Sequence, residues 1–394
     1  MGLRVGIFSV IGIYVAANGF VAFRGWKWMR EIARNSFYPG RWKWIGNLWV
    51  ILVLLLMALP FLGRGMGNAW LNFLPGEIAS MLALAGYDWM AGGLVLAVFL
   101  LVSDGIFCLM QRIFVFRGKL RLLFWRNGLA LLGMGVFLAI GTQQALHFHW
   151  TPYEITLASA VQSPDIKVVC VSDLHLGELI HSDRLREWVQ AINAKEPDMI
   201  CLAGDIFDRG YASLGEDEEA CRQTLAELSA PLGVYACIGN HDLGFRGNMG
   251  KEQLAVWLDT AGIRLLLNEY VDVGGLIVAG KDYLWEEPET ALDFLEGIPE
   301  MKPVFLLDHK PGLLADYETA GVDLVFSGHT HQGQIFPGNL ITSYLYETDY
   351  GYRAQENSQI AVSCGVGTWG PLLRMGSQSE LVELQLHFSE ETAE

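Results

Sequence analysis

Ile166-Lys167-Val168-Val169-Cys170-Val171-Ser172, followed by Asp173-Leu174-His175, decides how this chain is read. An apolar, β-branched run of this length is a buried strand, and it ends in an Asp and a His two positions apart. The same event recurs downstream. Met199–Ala203 leads into Gly204-Asp205-Ile206-Phe207-Asp208-Arg209-Gly210, and 233–238 into Gly239-Asn240-His241-Asp242. Val304–Leu307 leads into Asp308-His309, and Leu324–Ser327 into Gly328-His329-Thr330-His331. Further strands are read at 276–279 and 360–363, with amphipathic helices over 182–195, 217–228 and 252–261. Strands alternating with helices predict an α/β domain with a substantial sheet. In such sheets ligands bind beyond the carboxyl ends of strands, so these loops, converging, make one site.

Five of the nine histidines lie in those loops. Asp and His at i, i+2 off a strand end point to the same side of the backbone and can reach one ion. Imidazole nitrogens with carboxylate or amide oxygens suit Zn, Mn or Fe, and the lack of thiolates argues against a structural zinc site. The donors are too many for one ion and about enough for two. Two cations ~3.5–4 Å apart need a shared carboxylate, and Asp205, after a strand-ending glycine, is the natural bridge. Singly, each residue has a plainer reading. Asp173, Asp205 and Asn240 could cap helices, His175, His329 and His331 could be satisfied core histidines, and Asp208-Arg209 could be a surface turn. The ordered set is what favours metal.

D-x-H, GD, GNH[DE], H and GHxH, in this order and spacing, resemble the calcineurin-like metallophosphoesterases over roughly 166–385. The stretches 328–334 and 365–370, with Arg374, are most similar to the bacterial membrane-associated branch, which includes enzymes resembling UDP-2,3-diacylglucosamine pyrophosphatases. The resemblance implies an αββα sandwich and two divalent ions (Mn, Fe or Zn). It implies that Asp173, His175, Asp205 and His331 hold one ion, and that Asp205, Asn240, His309 and His329 hold the other. His241 is then the general acid, Asp208 the acid that orients it, and Arg209 a clamp on a phosphoryl oxygen. The implied chemistry is attack by a metal-bound hydroxide.

The rest of the chain is of another kind. Overall 52% of residues are hydrophobic and 18% charged, with 13 Trp and a mean hydropathy of +0.29; soluble domains carry about 25% charged residues. Residues 1–150 hold 13 Lys+Arg against 4 Asp+Glu, whereas 151–394 hold 14 against 39. An apolar, basic first part and an acidic second part read as a membrane region joined to a water-soluble domain. So acidic a domain is a poor partner for nucleic acid.

Four apolar stretches, near 3–22, 44–62, 90–110 and 128–146, have the length a bilayer demands. Residues 71–84 fit either a surface-lying helix or an overlong third span. Asp104 interrupts that span, close enough to its end to reach water. The loops 24–43 and 112–126 are strongly basic and belong in the cytoplasm, which puts the domain after the fourth span outside. The expected organisation is therefore a four-span region over 1–146, a linker and first strand over 147–165, the catalytic domain over 166–388 and a tail over 389–394.

These readings predict a multi-pass enzyme of the cell (inner) membrane, hydrolysing a phosphate ester or pyrophosphate of a lipid or lipid-linked substrate. Two alternatives stand beside it: a cytoplasmic-facing nucleotide-lipid pyrophosphatase, and a non-catalytic scaffold or phosphate or metal sensor.

Overall fold

The computed structural model describes residues 2–62, 76–113, 119–159, 163–244, 250–283, 292–298, 302–355 and 357–390. The chain divides into two compact units, one over 1–142 with 370–372 and the other over 143–369 with 373–394.

The first unit is helical: α1 (Gly2–Arg34), α2 (Pro39–Leu62), α3 (Gly76–Ile113) and the greater part of α4 (Lys119–Leu146). Three segments are long and apolar enough to cross a membrane, Pro39–Leu59, Leu84–Ile113 and Phe124–Leu146. Their outward side chains, Leu55, Leu101 and Leu132 among them, are exposed, an arrangement that lipid suits and water does not. Four spans are thus not all met. The expected first span falls on α1, where the side chains of residues 2–10 lie outside the described residues. α1 nonetheless packs with the others: Val21 and Ala22 share a core with Val53, Leu96 and Ala130. The Nε1 of Trp89 donates to Asn18 Oδ1 at 2.8 Å and that of Trp49 to the Val21 carbonyl at 3.3 Å. Of the stretch 71–84, residues 71–75 lie outside the described residues. The remainder is the start of α3, which runs unbroken into the third span.

The second unit holds two six-stranded sheets. β1 (His149–Ser159), β2 (Ile166–Val171), β3 (Met199–Ala203), β4 (Val234–Cys237), β5 (Arg264–Leu265) and β12 (Glu380–Glu390) form one, in the order β1-β12-β2-β3-β4-β5. β6 (Glu269–Asp272), β7 (Ile277–Gly280), β8 (Val304–Leu307), β9 (Leu324–Ser327), β10 (Gly351–Gln355) and β11 (Ser358–Val362) form the other, in the order β10-β11-β9-β8-β7-β6. Both are mixed. β2, β3, β4 and β5 run parallel, as do β7, β8, β9 and β11, while β12 opposes β2 and the pairs β6–β7 and β10–β11 are antiparallel.

Between the sheets lies one apolar core. Val168, Cys170, Met199 and Cys201 from the first sheet join Val278, Phe305, Leu307 and Phe326 from the second. Each large side chain buried there contributes ~1.5–3 kcal/mol. The other face of the second sheet is covered too, with Leu306, Val325 and Ile360 packing on Leu314 and Tyr317 of α8 (Leu314–Thr319). Burial on both faces is why these strands read as unbroken apolar runs. α5 (Ser182–Asn193), α6 (Glu218–Leu225) and α7 (Lys251–Asp259) each bury one apolar face. All six cysteines are free, and every one except Cys108 is buried.

Candidate metal centre

Each polar loop leaves the carboxyl end of a parallel strand: β2 delivers Asp173 and His175, β3 Asp205, β4 Asn240 and His241, β8 His309, and β9 His329 and His331. The first loops zip together through their backbones. Asp173 N–H donates to the Gly204 carbonyl (3.1 Å), His175 N–H to that of Asp205 (3.0 Å) and Leu176 N–H to that of Ile206 (2.9 Å). The buried Asp242 carboxylate gathers the N–H groups of Gly239 (2.7 Å), Asp205 (2.9 Å) and Phe207 (3.0 Å), which pins the β3 loop to the β4 loop. Burial, with the nearby Asp205 charge, pushes Asp242 up to about 7. Gly239 is needed there, because a Cβ would run into the Asp205 carboxylate.

Two clusters result. In one, His175 Nε2 faces His331 Nε2 at 3.1 Å, and Asp173 Oδ1 lies 3.8 and 3.4 Å from those two nitrogens. In the other, His309 Nε2 is 3.2 Å from Asp205 Oδ2 and 3.2 Å from His329 Nδ1. Asn240 Oδ1 closes it, 3.2 Å from His309 Nε2 and 2.9 Å from His329 Nδ1. The same Asp205 Oδ2 stands 3.8 Å from His175 Nε2, so one carboxylate oxygen looks into both clusters. The seven residues expected to hold metal are all brought together.

The donor set fits divalent cations. His309 Nε2, His329 Nδ1, Asp205 Oδ2 and Asn240 Oδ1 crowd together at 2.9–3.2 Å, so nitrogen and oxygen atoms with lone pairs converge on one point. Two ligand nitrogens each ~2.1 Å from one ion stand about 3 Å apart, the spacing seen here. Neutral imidazole is the ligating form, and burial, reinforced by neighbouring cationic groups, drives His175 and His329 down to about 3 and His331 well below its usual value. Burial opposes charge on Asp205 and His309 as well. Their mutual attraction wins, holding Asp205 well below the carboxylate range and raising His309 to about 10. A cation bound there takes the place of that proton.

Backbone conformation marks the same residues. Asp173 (φ 55°), His175 (49°), Asp205 (50°), His329 (70°) and His331 (49°) all occupy the left-handed region, each at a cost of order 1–3 kcal/mol. Among the described residues nine non-glycine positions do so, and five of the nine are here. Strain held at a site by its frame points to function.

His241 sits beside the first cluster, its ring 5.0 Å from that of His175 in an edge-on contact. Its N–H donates to Asp205 Oδ1 at 2.8 Å. The expected partner of its ring, the Asp208 carboxylate, is 4.0 Å away. The ring Nδ1 is held instead by the Asp208 backbone carbonyl at 2.6 Å. The carboxylate turns between Arg209 (3.7 Å) and His175 Nδ1 (3.9 Å), a buried nitrogen with no hydrogen-bond partner among the described residues. Arg209 thus stands against Asp208, outside both clusters.

Sequence reasoning gave Arg374 no role. It is fully buried, and its Nη2 donates to the carbonyls of Cys364 (2.6 Å), Gly365 (3.0 Å) and Gly367 (2.6 Å), with His331 Nδ1 at 3.5 Å. That turn backs Asp173: Gly367 N–H donates to the Asp173 carbonyl at 2.9 Å, and a Cβ on Gly365 would meet Asp173 Cβ at 2.6 Å. A lone Arg in the apolar run 360–376 was the available signal. Asp308, next to His309, is an anchor, held by Lys281 Nζ and Tyr317 OH at 2.8 Å each.

A family model for calcineurin-like phosphoesterases matches residues 166–333. An uncharacterized metallophosphoesterase of Aquifex aeolicus is 33% identical over 239 residues, which cover 58% of this chain and 88% of that protein. The chain therefore belongs to the calcineurin-like metallophosphoesterases, a family of metal-dependent phosphoester hydrolases. An uncharacterized metallophosphoesterase of Helicobacter pylori is 34% identical over 56% of this chain, a match that spans 60% of that protein's length. A bovine transmembrane protein with metallophosphoesterase domain is 25% identical over 91% of this chain and 85% of its own. That match takes in much of the helical unit, and with the apolar helices it associates the protein with a membrane.

Proposed function

We propose that the protein is a multi-pass hydrolase of the cell (inner) membrane that cleaves a phosphate ester or pyrophosphate of a lipid or lipid-linked substrate, using two divalent cations. The observation that carries this reading is the single Asp205 oxygen facing both clusters. Asp173, His175, Asp205 and His331 hold one cation, and Asp205, Asn240, His309 and His329 the other; Mn, Fe and Zn all suit these donors. When bound, such a pair lowers the pKa of water and offsets phosphoryl charge.

The chain's own groups do the rest. With Nδ1 fixed on the Asp208 carbonyl, His241 presents Nε2 to substrate and carries a proton to the leaving oxygen. Arg209 contributes a planar donor pair for a phosphoryl oxygen. The Asp208 carboxylate lies 3.9 Å from His175 Nδ1 and 3.7 Å from Arg209, where its charge favours a cationic centre.

The lipid reading draws support from α9 (Gly338–Leu345), which buries none of its residues. Phe336, Leu340, Ile341, Tyr344 and Leu345 are all exposed, and the next residue, Tyr346, packs edge-on against His329 at 6.2 Å. An exposed apolar strip leading to the centre suits an acyl or prenyl chain. The basic stretch 112–126 before the last apolar run supports, whether or not α1 crosses, a catalytic domain outside the cytoplasm.

The test is Mn-stimulated hydrolysis of p-nitrophenyl phosphate and its bis ester by full-length protein in detergent, with Asp205→Asn beside it. Turnover lost in the variant supports the reading; metal binding with no turnover on these or on lipid pyrophosphates overturns it. Labelling single cysteines placed after residue 146, from outside intact cells, tests the side.

A further inference from the structure

In the helical unit, Arg24 of α1 and Arg126 of α4 both bind Oδ1 of Asp104 on α3, at 2.9 and 3.1 Å. Arg24 Nη2 also reaches Asn127 Oδ1 at 3.4 Å. Two guanidinium groups share one carboxylate, so the cluster carries a positive charge that it does not itself balance. Three buried N–H donors beside it, Arg24 Nε, Arg126 Nε and Trp28 Nε1, have no acceptor among the described residues. Leaving such donors unpaired is costly.

Arg24, Trp28 and Asn127 line a small cavity of about 50 Å³, whose other walls include Trp49, Leu100 and Leu131. Its level is set by the sequence. Arg24 and Trp28 follow the apolar run of α1, and Arg126 precedes that of α4. These are the ends of the apolar runs next to the two basic stretches, the depth at which headgroups lie.

We propose that α1, α3 and α4 form a binding site for the phosphate of an anionic membrane lipid, with Arg24, Trp28 and Arg126 as its donors. A phosphodiester supplies what the cluster lacks, negative charge and several acceptor oxygens without donors, and guanidinium matches it by geometry. Free phosphate has the same head but nothing to lay on the Trp49, Leu100 and Leu131 wall, so the lipid is the occupant. Asp104 holds both guanidinium groups in place before the lipid arrives, which lowers the ordering cost of binding. The site is separate from the metal centre and does not rest on hydrolysis.

The test is lipid retention by the full-length protein, read by native mass spectrometry after delipidation and incubation with phosphatidylglycerol, phosphatidylcholine or inorganic phosphate. Wild type is expected to keep phosphatidylglycerol about tenfold better than phosphatidylcholine, one charged hydrogen bond's worth. Arg126→Gln should abolish that preference, and Asp104→Asn, which releases both guanidinium groups, should weaken it. Arg24→Lys, which retains charge but not the Nε donor, should weaken it with the bundle intact, and it serves if Arg126→Gln does not fold. Equal retention of the two lipids by wild type, or an unchanged preference in both arginine variants, overturns the proposal. Displacement of the lipid by inorganic phosphate at comparable concentration also overturns it, in favour of a free-anion site.

Discussion

His175 and His331 meet Nε2 to Nε2 at 3.1 Å although 156 residues separate them in the chain. Asp173 lies against both nitrogens, and Asp205 Oδ2 faces His175 from the other side. The two clusters are therefore distinct but joined through one oxygen.

That geometry predicts metal stoichiometry. His331→Ala and His329→Ala should each lower the bound metal from two ions towards one, while Asp205→Asn should disturb both. Turnover of Asp205→Asn should fall by at least about a hundredfold, beyond what loss of an outer partner costs. Metal analysis of the purified variants checks this. Two ions retained by Asp205→Asn would remove it from the bridging position.

The place of His241 predicts a dependence on leaving group. His241→Ala should keep its metal yet lose about 10²–10⁴-fold with an alkyl alcohol as leaving group, because that oxygen needs a proton in the transition state. With p-nitrophenolate, which leaves without one, the loss should be much smaller. Since the Asp208 carbonyl orients the ring, Asp208→Asn should keep this leaving-group pattern. Equal losses on both esters for His241→Ala would refute the general-acid role.

Arg374 should matter to stability more than its distance from any substrate suggests. Arg374→Met strands the carbonyls of Cys364, Gly365 and Gly367 in the interior. With each unmade bond costing ~1–3 kcal/mol, a loss of at least about 2 kcal/mol is expected in denaturant unfolding followed by tryptophan fluorescence. The released turn should also loosen Asp173, so the variant that still folds should bind metal more weakly in the cluster shared with His331.

A surface pair gives a pH dependence free of the metal site. His387 Nε2 lies 2.7 Å from Glu154 and its Nδ1 2.8 Å from Asp165. These hydrogen bonds, Glu154 first, raise the imidazole pKa. A pKa raised on folding contributes stability that is complete below the unfolded value of about 6.5 and is lost as pH rises through the folded one. Glu154→Gln should lower the His387 midpoint in an NMR titration; an unmoved midpoint would show that the pair does not act.

The five metal-loop motifs were legible because each strand buries both faces and so announces its end by an abrupt change to Asp, His or Asn. β1 and β12 were harder. β12 alternates along Val382, Glu383, Leu384, Gln385 and Leu386, but its register against both β1 and β2 is a tertiary fact. The Asp208 contact was misplaced for a different reason: a backbone carbonyl carries no residue signature, so sequence put the side chain where the main chain acts. Arg374 escaped a role because its partners are carbonyls as well. Of the membrane region, the apolar lengths could be read directly, but the convergence of Arg24, Asp104 and Arg126 from three helices could not.

The origin of the ligands has a consequence for how activity arises as the protein is made. Cluster one needs His331 and cluster two needs His329, and both stand on the loop after β9 in the second sheet, whereas Asp173 and Asp205 belong to the first. No contiguous fragment ending before that loop owns a finished site. A chain that stops short of that loop lacks a residue of each cluster, so the candidate centre is complete only when both sheets are present.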